Sequence, residues 1–237
     1  MSDAITANIS RQSGLLQELT LISNNIANAS TDGFKREAAI FAEFVSGRDG
    51  DPSVSMGSLR GHYTDVSQGS LVRTDGVLDL AIDGEGWFAV EKRGDVVLTR
   101  AGRFLRNAEG QLTTPDGYRV LDDGGAPISV PETTVDISIS SDGTVTADGV
   151  GVGQIGVLTT NTEDLTRAGE NLWKTQGTLR FQDFPQIRQG FVESSNVSPV
   201  VEMARLIEVQ RLYEMGASLQ SDEHERISRF IETLSRQ

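Results

Sequence analysis

The sequence predicts an α+β protein with N- and C-terminal helices that pair as a coiled coil and a central antiparallel all-β domain, barrel-like or sandwich-like. Three observations predict this fold class. Both ends of the chain are almost free of proline and carry apolar residues at alternating spacings of three and four. The middle of the chain contains 22 of the 25 glycines. There, short β-branched segments alternate with Asp-Gly and Glu-Gly turns.

The first element is predicted to be a helix over residues 3–29. No proline interrupts it, and its apolar spacing holds once Gln12 and Ser23 are admitted. Between residues 4 and 31 only Arg11 and Glu18 are charged, whereas about seven charges are usual in a segment of this length. Such a helix either packs on its own domain or is covered by other copies of the chain. The predicted contact positions are Ile5, Ile9, Leu16, Leu19 and Ile26.

The last element is predicted to be a helix that begins at Ser198-Pro199 and extends over roughly 38 residues, or about 57 Å. Acid-first i,i+4 pairs such as Glu225 with Arg229 are typical of a long, solvated helix. Three-four alternation continues through four heptads, with polar residues at Gln210, Gln220 and His224. The predicted apolar contact positions are Met203, Leu206, Tyr213, Ala217, Ile227, Ile231 and Leu234.

The central part is predicted to form short strands about ten residues apart, which fits a compact barrel or sandwich. The predicted strands are 78–82, 87–91, 96–100, 111–114, 119–121, 135–139, 144–147 and 154–159. Gly33 supplies a left-handed residue that ends the first helix. The chain is therefore expected to divide into an N-terminal helix (1–33), an extended arm (34–72), a β-domain (73–189) and a C-terminal helix (190–237).

Composition excludes several classes of function. A formal net charge of −13 and a pI near 4.6 argue against binding to nucleic acid or to an anionic membrane. The chain has no cysteine, so disulfides, thiolate metal sites and cysteine nucleophiles are excluded. Neither a secretory signal sequence nor an apolar segment long enough to span a membrane is recognisable. We therefore expect no membrane insertion, and export, if it occurs, without a cleaved signal peptide.

No convincing catalytic, cofactor or metal site is recognisable. Residues 151–156 match G-x-G-x-x-G, but a β-branched segment follows where a dinucleotide site needs a helix. His62 and His224 belong to different predicted elements. The carboxylates Asp79, Asp83 and Glu85 stand in turns and lack EF-hand spacing. We therefore expect no enzyme activity and no cofactor.

Several sequence blocks carry a resemblance to a known family. Residues 23–36, SNNIANASTDGFKR, resemble the N-terminal signature of the bacterial flagellar rod, hook and hook-associated family. Residues 190–203, GFVESSNVSPVVEM, together with residues 207–214, IEVQRLYE, are similar to its C-terminal helix. Residues 78–88 and 99–104 resemble the β-domain of its rod and hook members. The residues matching the family motifs are Asn24, Asn25, Asn28, Gly33, Phe34, Asn196 and Gln210.

The resemblance implies a structural subunit of the flagellar basal-body rod, which crosses the periplasm. Within the family, residues 63–71 look most like the proximal-rod member, with the distal-rod member as the alternative. The implied partners are copies of the chain, other rod proteins and the flagellar type III export apparatus. We expect the first helix to order only when it pairs with the last helix and with neighbouring subunits. Alternatives from other classes are a secreted carbohydrate- or calcium-binding enzyme using Asp79, Asp83 and Glu85, and a coiled-coil-tipped adhesin.

Overall fold

The structure is a computed structural model that describes residues 2–46, 54–182 and 184–235. Within these ranges, side chains are described except at residues 2–7, 41–46, 54–60, 223, 227, 230, 231 and 233–235. The chain forms two compact units. The helical unit comprises Met1–Ala29, Arg36–Asp65 and Val197–Gln237, and the β unit comprises Ser30–Lys35 and Val66–Asn196.

The helical unit contains the two predicted helices and one β-hairpin. Helix α1 spans Ser2–Ala27 and helix α2 spans Pro199–Ser235, so both predicted helices are confirmed. Proline is the first residue of α2, where its missing N–H costs no helical hydrogen bond, and the N–H of Glu202 donates to Ser198 O at 3.0 Å. Among the described residues, neither helix is long and apolar enough to cross a membrane.

The hairpin lies in the segment expected to be an extended arm. Strand β1 (Glu37–Ser46) pairs antiparallel with β2 (Val54–Thr64), with a bulge between Ile40 and Phe41. These strands are rich in alanine, serine and glycine, which have weak strand propensity. Each strand is stabilised by its hydrogen bonds to the other strand, so neither is evident from its own sequence.

The β unit contains sixteen strands among the described residues. In chain order they are β3 (Leu71–Arg73), β4 (Leu80–Ile82), β5 (Trp87–Lys92), β6 (Asp95–Thr99), β7 (Leu105–Arg106), β8 (Leu112–Thr113), β9 (Arg119–Val120), β10 (Ile137–Ile139), β11 (Thr144–Ala147), β12 (Val150–Gln154), β13 (Val157–Thr159), β14 (Leu165–Gly169), β15 (Leu172–Thr175), β16 (Arg180–Phe181), β17 (Ile187–Gln189) and β18 (Phe191–Glu193). All eight predicted strands are confirmed, although 154–159 divides between β12 and β13.

The strands pair antiparallel in several sheets. The largest has nine strands with the order β14-β15-β6-β5-β9-β8-β7, and β13 joins it by pairing with β5 and β16. In the part of the chain that the structure describes, this path does not close on itself, so the expectation of a barrel was wrong. At the two ends of the path, β7 pairs with β8 through residues 105 and 106, and β14 pairs with β15. Strands β10-β11-β12 form a separate sheet.

The core of the β unit contains inward-facing aliphatic residues and two pairs of aromatic rings. Phe88 and Phe104 meet edge to face with ring centroids 5.2 Å apart, and Trp87 lies 5.7 Å from Trp173. β4 is buried along its whole length, as are the first four residues of β5. Two shorter sheets join the ends of this unit: β3 pairs with β18, and β4 pairs with β17.

Candidate assembly site

Helices α1 and α2 pack against each other through a short apolar core. Leu15 and Ile22 of α1 are buried with Val209 of α2. Partly buried neighbours extend this core, namely Leu19, Ile26, Leu206, Leu212 and Tyr213. The chain directions are opposite, since Asn8 meets Gly216 and Glu18 meets Arg205. This apolar core holds α1 on α2 within one chain.

Polar contacts fix the register of the two helices. Asn8 Nδ2 donates to Gly216 O at 3.1 Å, and a side chain at Gly216 would crowd Asn8 and Gln12. Glu18 is buried and accepts from Arg205 Nη2 at 2.8 Å, and this hydrogen bond raises the pKa of Arg205 above its ordinary value. The buried acid of α1, Glu18, therefore has Arg205 of α2 as its partner.

A buried polar cluster joins the end of α1 to the first turn of α2. The Asn25 side chain is fully buried: its Nδ2 donates to Glu37 O at 2.8 Å and its Oδ1 accepts from Glu37 N at 3.0 Å. Asn25 Nδ2 also lies 3.3 Å from Glu202 Oε2, and Glu202 Oε1 accepts from Arg36 Nε at 2.6 Å. Asn28 Nδ2 donates to Asn24 O at 2.9 Å.

The structure divides the predicted contact positions between two sides of the helices. Leu19, Ile26, Leu206 and Tyr213 lie on the side where α1 and α2 meet. Ile9, Leu16, Met203 and Ala217 are exposed, as is Gln210, which donates to Glu214 Oε1 at 3.3 Å. The side chains of Ile5, Ile227, Ile231 and Leu234 lie outside the described residues.

The inner heptad positions of α2 are Glu202, Val209 and Gly216, one residue before the predicted Met203, Gln210 and Ala217. The predicted row includes Leu206 and Tyr213 of this inner side but not Glu202 and Gly216, because neither of these two is apolar. Glu202 faces inward because it belongs to a hydrogen-bonded cluster. Gly216 faces inward because the two helices approach closely there. In the sequence, the one indication of a buried ion pair is Glu18, an acid in an otherwise nearly uncharged helix.

A second apolar row runs along α2 away from α1. Met203, Ile207, Met215 and Leu219 are 51%, 51%, 63% and 65% exposed. They follow a spacing of four that also includes the charged Arg211, and because each step of four residues turns about 40° beyond a full turn, the row winds across the side of α2 that faces away from Val209. Ile207 and the buried Val209 point in nearly opposite directions, being two residues apart on a helix. Helix α2 therefore carries exposed apolar residues on the side that α1 does not cover.

Helix α1 likewise has an apolar face that α2 does not cover. Ile9 is 51% exposed and Leu16 is 48% exposed, and they lie one position from the inner row that contains Leu15. In residues 8–28 the charged side chains are Arg11 and the buried Glu18. An exposed helix face with this composition is typical of a surface that another protein covers. We call this face and the α2 row the outward faces.

In the β unit, the family motif residues surround a buried group of charges. Lys35 is fully buried, and its Nζ donates to Glu193 Oε1 at 2.6 Å and to Ser67 O at 2.7 Å. Arg100 Nη1 reaches Glu193 Oε2 at 2.9 Å and Nη2 reaches Gly84 O at 2.7 Å. Burial lowers the pKa of Arg100, and the attraction of Glu193 opposes that change. The carboxylate of Glu193 is thus the counter-ion of both Lys35 and Arg100.

The backbone around this group is held by motif residues. Gly33 has φ +67°, and its N–H donates to Glu193 O at 2.6 Å. A Cβ at Gly33 would overlap the backbone of Arg100, so glycine is required both for conformation and for space. Phe34 is buried, and the Asn196 N–H donates to Phe34 O at 3.3 Å.

Sequence reasoning found Gly33, Phe34 and Asn196 as motif residues but missed Lys35, Arg100 and Glu193. Charged residues are usually exposed, so a single sequence gives no sign that these three are buried together. The partners are also 93 and 158 residues apart in the chain.

The residues considered for catalysis have structural partners. Asp83 pairs with Arg188 at 2.5 Å, and Asp79 is buried. Among the described residues, no group of three or more acidic or histidine side chains is placed to hold a metal ion. Residues 151–156 lie in β12 and the turn before β13, so a strand occupies the place where a dinucleotide site requires a helix.

Comparison with known proteins identifies relatives along the whole chain. Three family models match: "Flagella basal body rod protein" over residues 5–35, "Flagellar hook protein FlgE/F/G D1 domain" over 81–147 and "Flagellar basal body rod FlgEFG protein C-terminal" over 188–231. The chain is 37% identical to the flagellar basal-body rod protein FlgF of Caulobacter vibrioides, covering 100% of the chain and 99% of the relative. It is 37% identical to FlgF of Mesorhizobium japonicum over 99% of the chain and 98% of that relative. It is 32% identical to the rod protein FlgG of Bacillus subtilis, over 92% of the chain and 94% of that relative.

Proposed function

The chain belongs to the flagellar basal-body rod protein family and is a structural subunit of that rod, and we propose that it assembles through the outward faces of α1 and α2. The observation that carries this proposal is that both helices are apolar on a face that the single chain leaves exposed. Full burial of an exposed aliphatic side chain contributes about 1.5–3 kcal/mol, and these side chains, which are 48–65% exposed, gain roughly half of that each, so several per subunit still supply a driving force.

We further propose that the subunit occupies the proximal rod, because the similarity to FlgF relatives spans nearly the full length of both chains. The distal rod is the alternative. In this proposal the rod crosses the periplasm and transmits torque, the partners are copies of the chain and other rod proteins, and the subunit leaves the cytoplasm through the flagellar type III apparatus. The four-part division of the chain and the coiled-coil geometry of the terminal helices belong to the same proposal.

Folding and assembly are coupled in this mechanism. Helix α1 has 26 residues, few charges and only a short apolar core against α2. A single helix gains most of its stability from packing, so α1 is weakly held in the monomer and ordered once neighbours cover its outward face. The monomer then has little tendency to polymerise before it reaches the growing rod.

A charge in the outward row of α2 tests this proposal. Ile207→Asp places a carboxylate where the proposal requires apolar contact, and we expect loss of rod incorporation and of swimming in a strain that lacks the native gene. The purified monomer should keep its Trp fluorescence and its resistance to proteases in the β unit. Val135→Asp is the matched control, since Val135 is 93% exposed in the β unit. Normal motility with Ile207→Asp would contradict the proposal.

A further inference from the structure

The first strands of the β unit pair with its last ones. Strand β3 pairs with β18 through Leu71↔Glu193, Val72↔Val192 and Arg73↔Phe191, and β4 pairs with β17 through residues 80–82 and 187–189. Within the described residues, neither β3 nor β4 pairs with any other strand, although the Leu80 N–H also donates to Gly102 O at 2.8 Å. The strand partners of β3 and β4 therefore belong to chain that is synthesised more than a hundred residues later. We call residues 187–196 the closing segment.

The closing segment also supplies the carboxylate of the buried charge group. Glu193 is 1% exposed and accepts from Lys35 Nζ, from Arg100 Nη1 and from the N–H of Gly69 at 3.0 Å. Both cations precede it in the chain. Before Glu193 arrives, burying Lys35 and Arg100 means taking two positive charges out of water without their shared counter-ion, which is strongly unfavourable.

Backbone contacts tie the same segment to the start of the unit. The N–H of Gly33 donates to Glu193 O, and Asn196 Nδ2 donates to Ser67 O at 3.1 Å. Gly69 approaches Ser194 so closely that a Cβ on Gly69 would overlap Ser194 O. On the other side of the segment, the N–H of Ile187 donates to Ser141 O at 2.8 Å. The closing segment thus supplies ionic and backbone contacts to the start of the unit.

We propose that the closing segment controls when the β unit folds: the preceding chain remains unfolded until residues 187–196 pair with β3 and β4. This device goes beyond the structural role of the subunit, and it stands on the contacts within the β unit alone. Its consequence is that a chain emerging from its N-terminus has no folded β unit until nearly the whole sequence is available. Pairing over such a sequence separation is also a slow step.

Folding kinetics of the full-length chain test the proposal. Trp87 and Trp173 are buried in the β unit and precede the closing segment, so their fluorescence reports folding of the remainder of the unit. If closure is required for folding, a variant in the closing segment should slow folding and leave unfolding almost unchanged. We expect Val192→Ala to slow folding about fivefold or more and Ile187→Val to slow it about two- to tenfold.

Val135→Ala is the matched control for Val192→Ala, since Val135 is exposed and Val192 is buried. It should change neither rate. The proposal is overturned if both closing-segment variants fold at the native rate and only unfold faster, because the remainder of the unit would then fold first and accept the segment afterwards. Ile187→Val removes a single methylene, so its folding rate can be compared with that of the native chain even if Val192→Ala is too unstable to measure. Normal motility with Ile207→Asp would contradict the proposed function and leave this device unaffected.

Discussion

Replacing Glu193 by glutamine removes the charge that two buried cations share. Its carboxylate lies 2.6 Å from Lys35 Nζ and 2.9 Å from Arg100 Nη1, and all three side chains are at most 5% exposed. Breaking a buried ion pair by removing one partner costs about 3–5 kcal/mol, because the remaining charge stays buried. Glutamine keeps one acceptor oxygen, so we expect the lower end of this range, about 3 kcal/mol. Domains of this size are typically stable by about 5–15 kcal/mol.

Urea unfolding monitored by Trp fluorescence measures this loss, since Trp87 and Trp173 lie in the same unit as Glu193. Glu91→Gln is the matched control: it makes the same chemical change in an ion pair with Arg119 at 2.8 Å that water reaches. The control should cost about 1 kcal/mol or less. If Glu193→Gln costs no more than Glu91→Gln, the buried charge group does not stabilise the unit and the reasoning fails.

Three further changes test other parts of the structure. Gly102→Ala forces a Cβ into Leu80 O, so we expect a loss of about 1–3 kcal/mol in urea unfolding, whereas Gly151→Ala, with open space around it, should be almost neutral. Asn25→Ala leaves buried partners unsatisfied and should lower the stability of the helical unit by about 1–3 kcal/mol, measured by the thermal loss of helical circular dichroism. Hydrogen bonds from Ser140 and Thr144 hold the pKa of Asp142 below its ordinary 3.8. Its contribution is therefore complete above that value and lost as pH falls through the lowered pKa, and Asp142→Asn should reduce the acid dependence of unfolding. An unchanged acid dependence in that variant would exclude Asp142 as a source.

Elements with strong local signals were predictable from the sequence. Helix α2 follows from its heptads and from Pro199, and the strands around Phe88 and Val97 follow from β-branched runs between glycine turns. The expectation that a strand, and not a helix, follows residues 151–156 was also correct, since Val157 and Leu158 lie in β13, whereas residues 151–154, interpreted as a turn, belong to β12.

Features that depend on distant partners were not predictable. The β1–β2 hairpin is stabilised by pairing between small residues that carry little pattern. The inward position of Glu202 was not predicted, because a buried glutamate has the same pattern in the sequence as a surface acid. Glu193 and Lys35 meet across 158 residues, and only the folded chain reveals that they share a buried site.

The central claim is that the outward face of α2 becomes buried between subunits of the rod. The chain has no cysteine, so Met215→Cys introduces a single thiol at a position that is 63% exposed in the monomer. Labelling with a maleimide should be fast in the purified monomer and at least tenfold slower in intact basal bodies, and it should return when the basal bodies are dissociated. Equal labelling rates in the monomer and in intact basal bodies would contradict the claim.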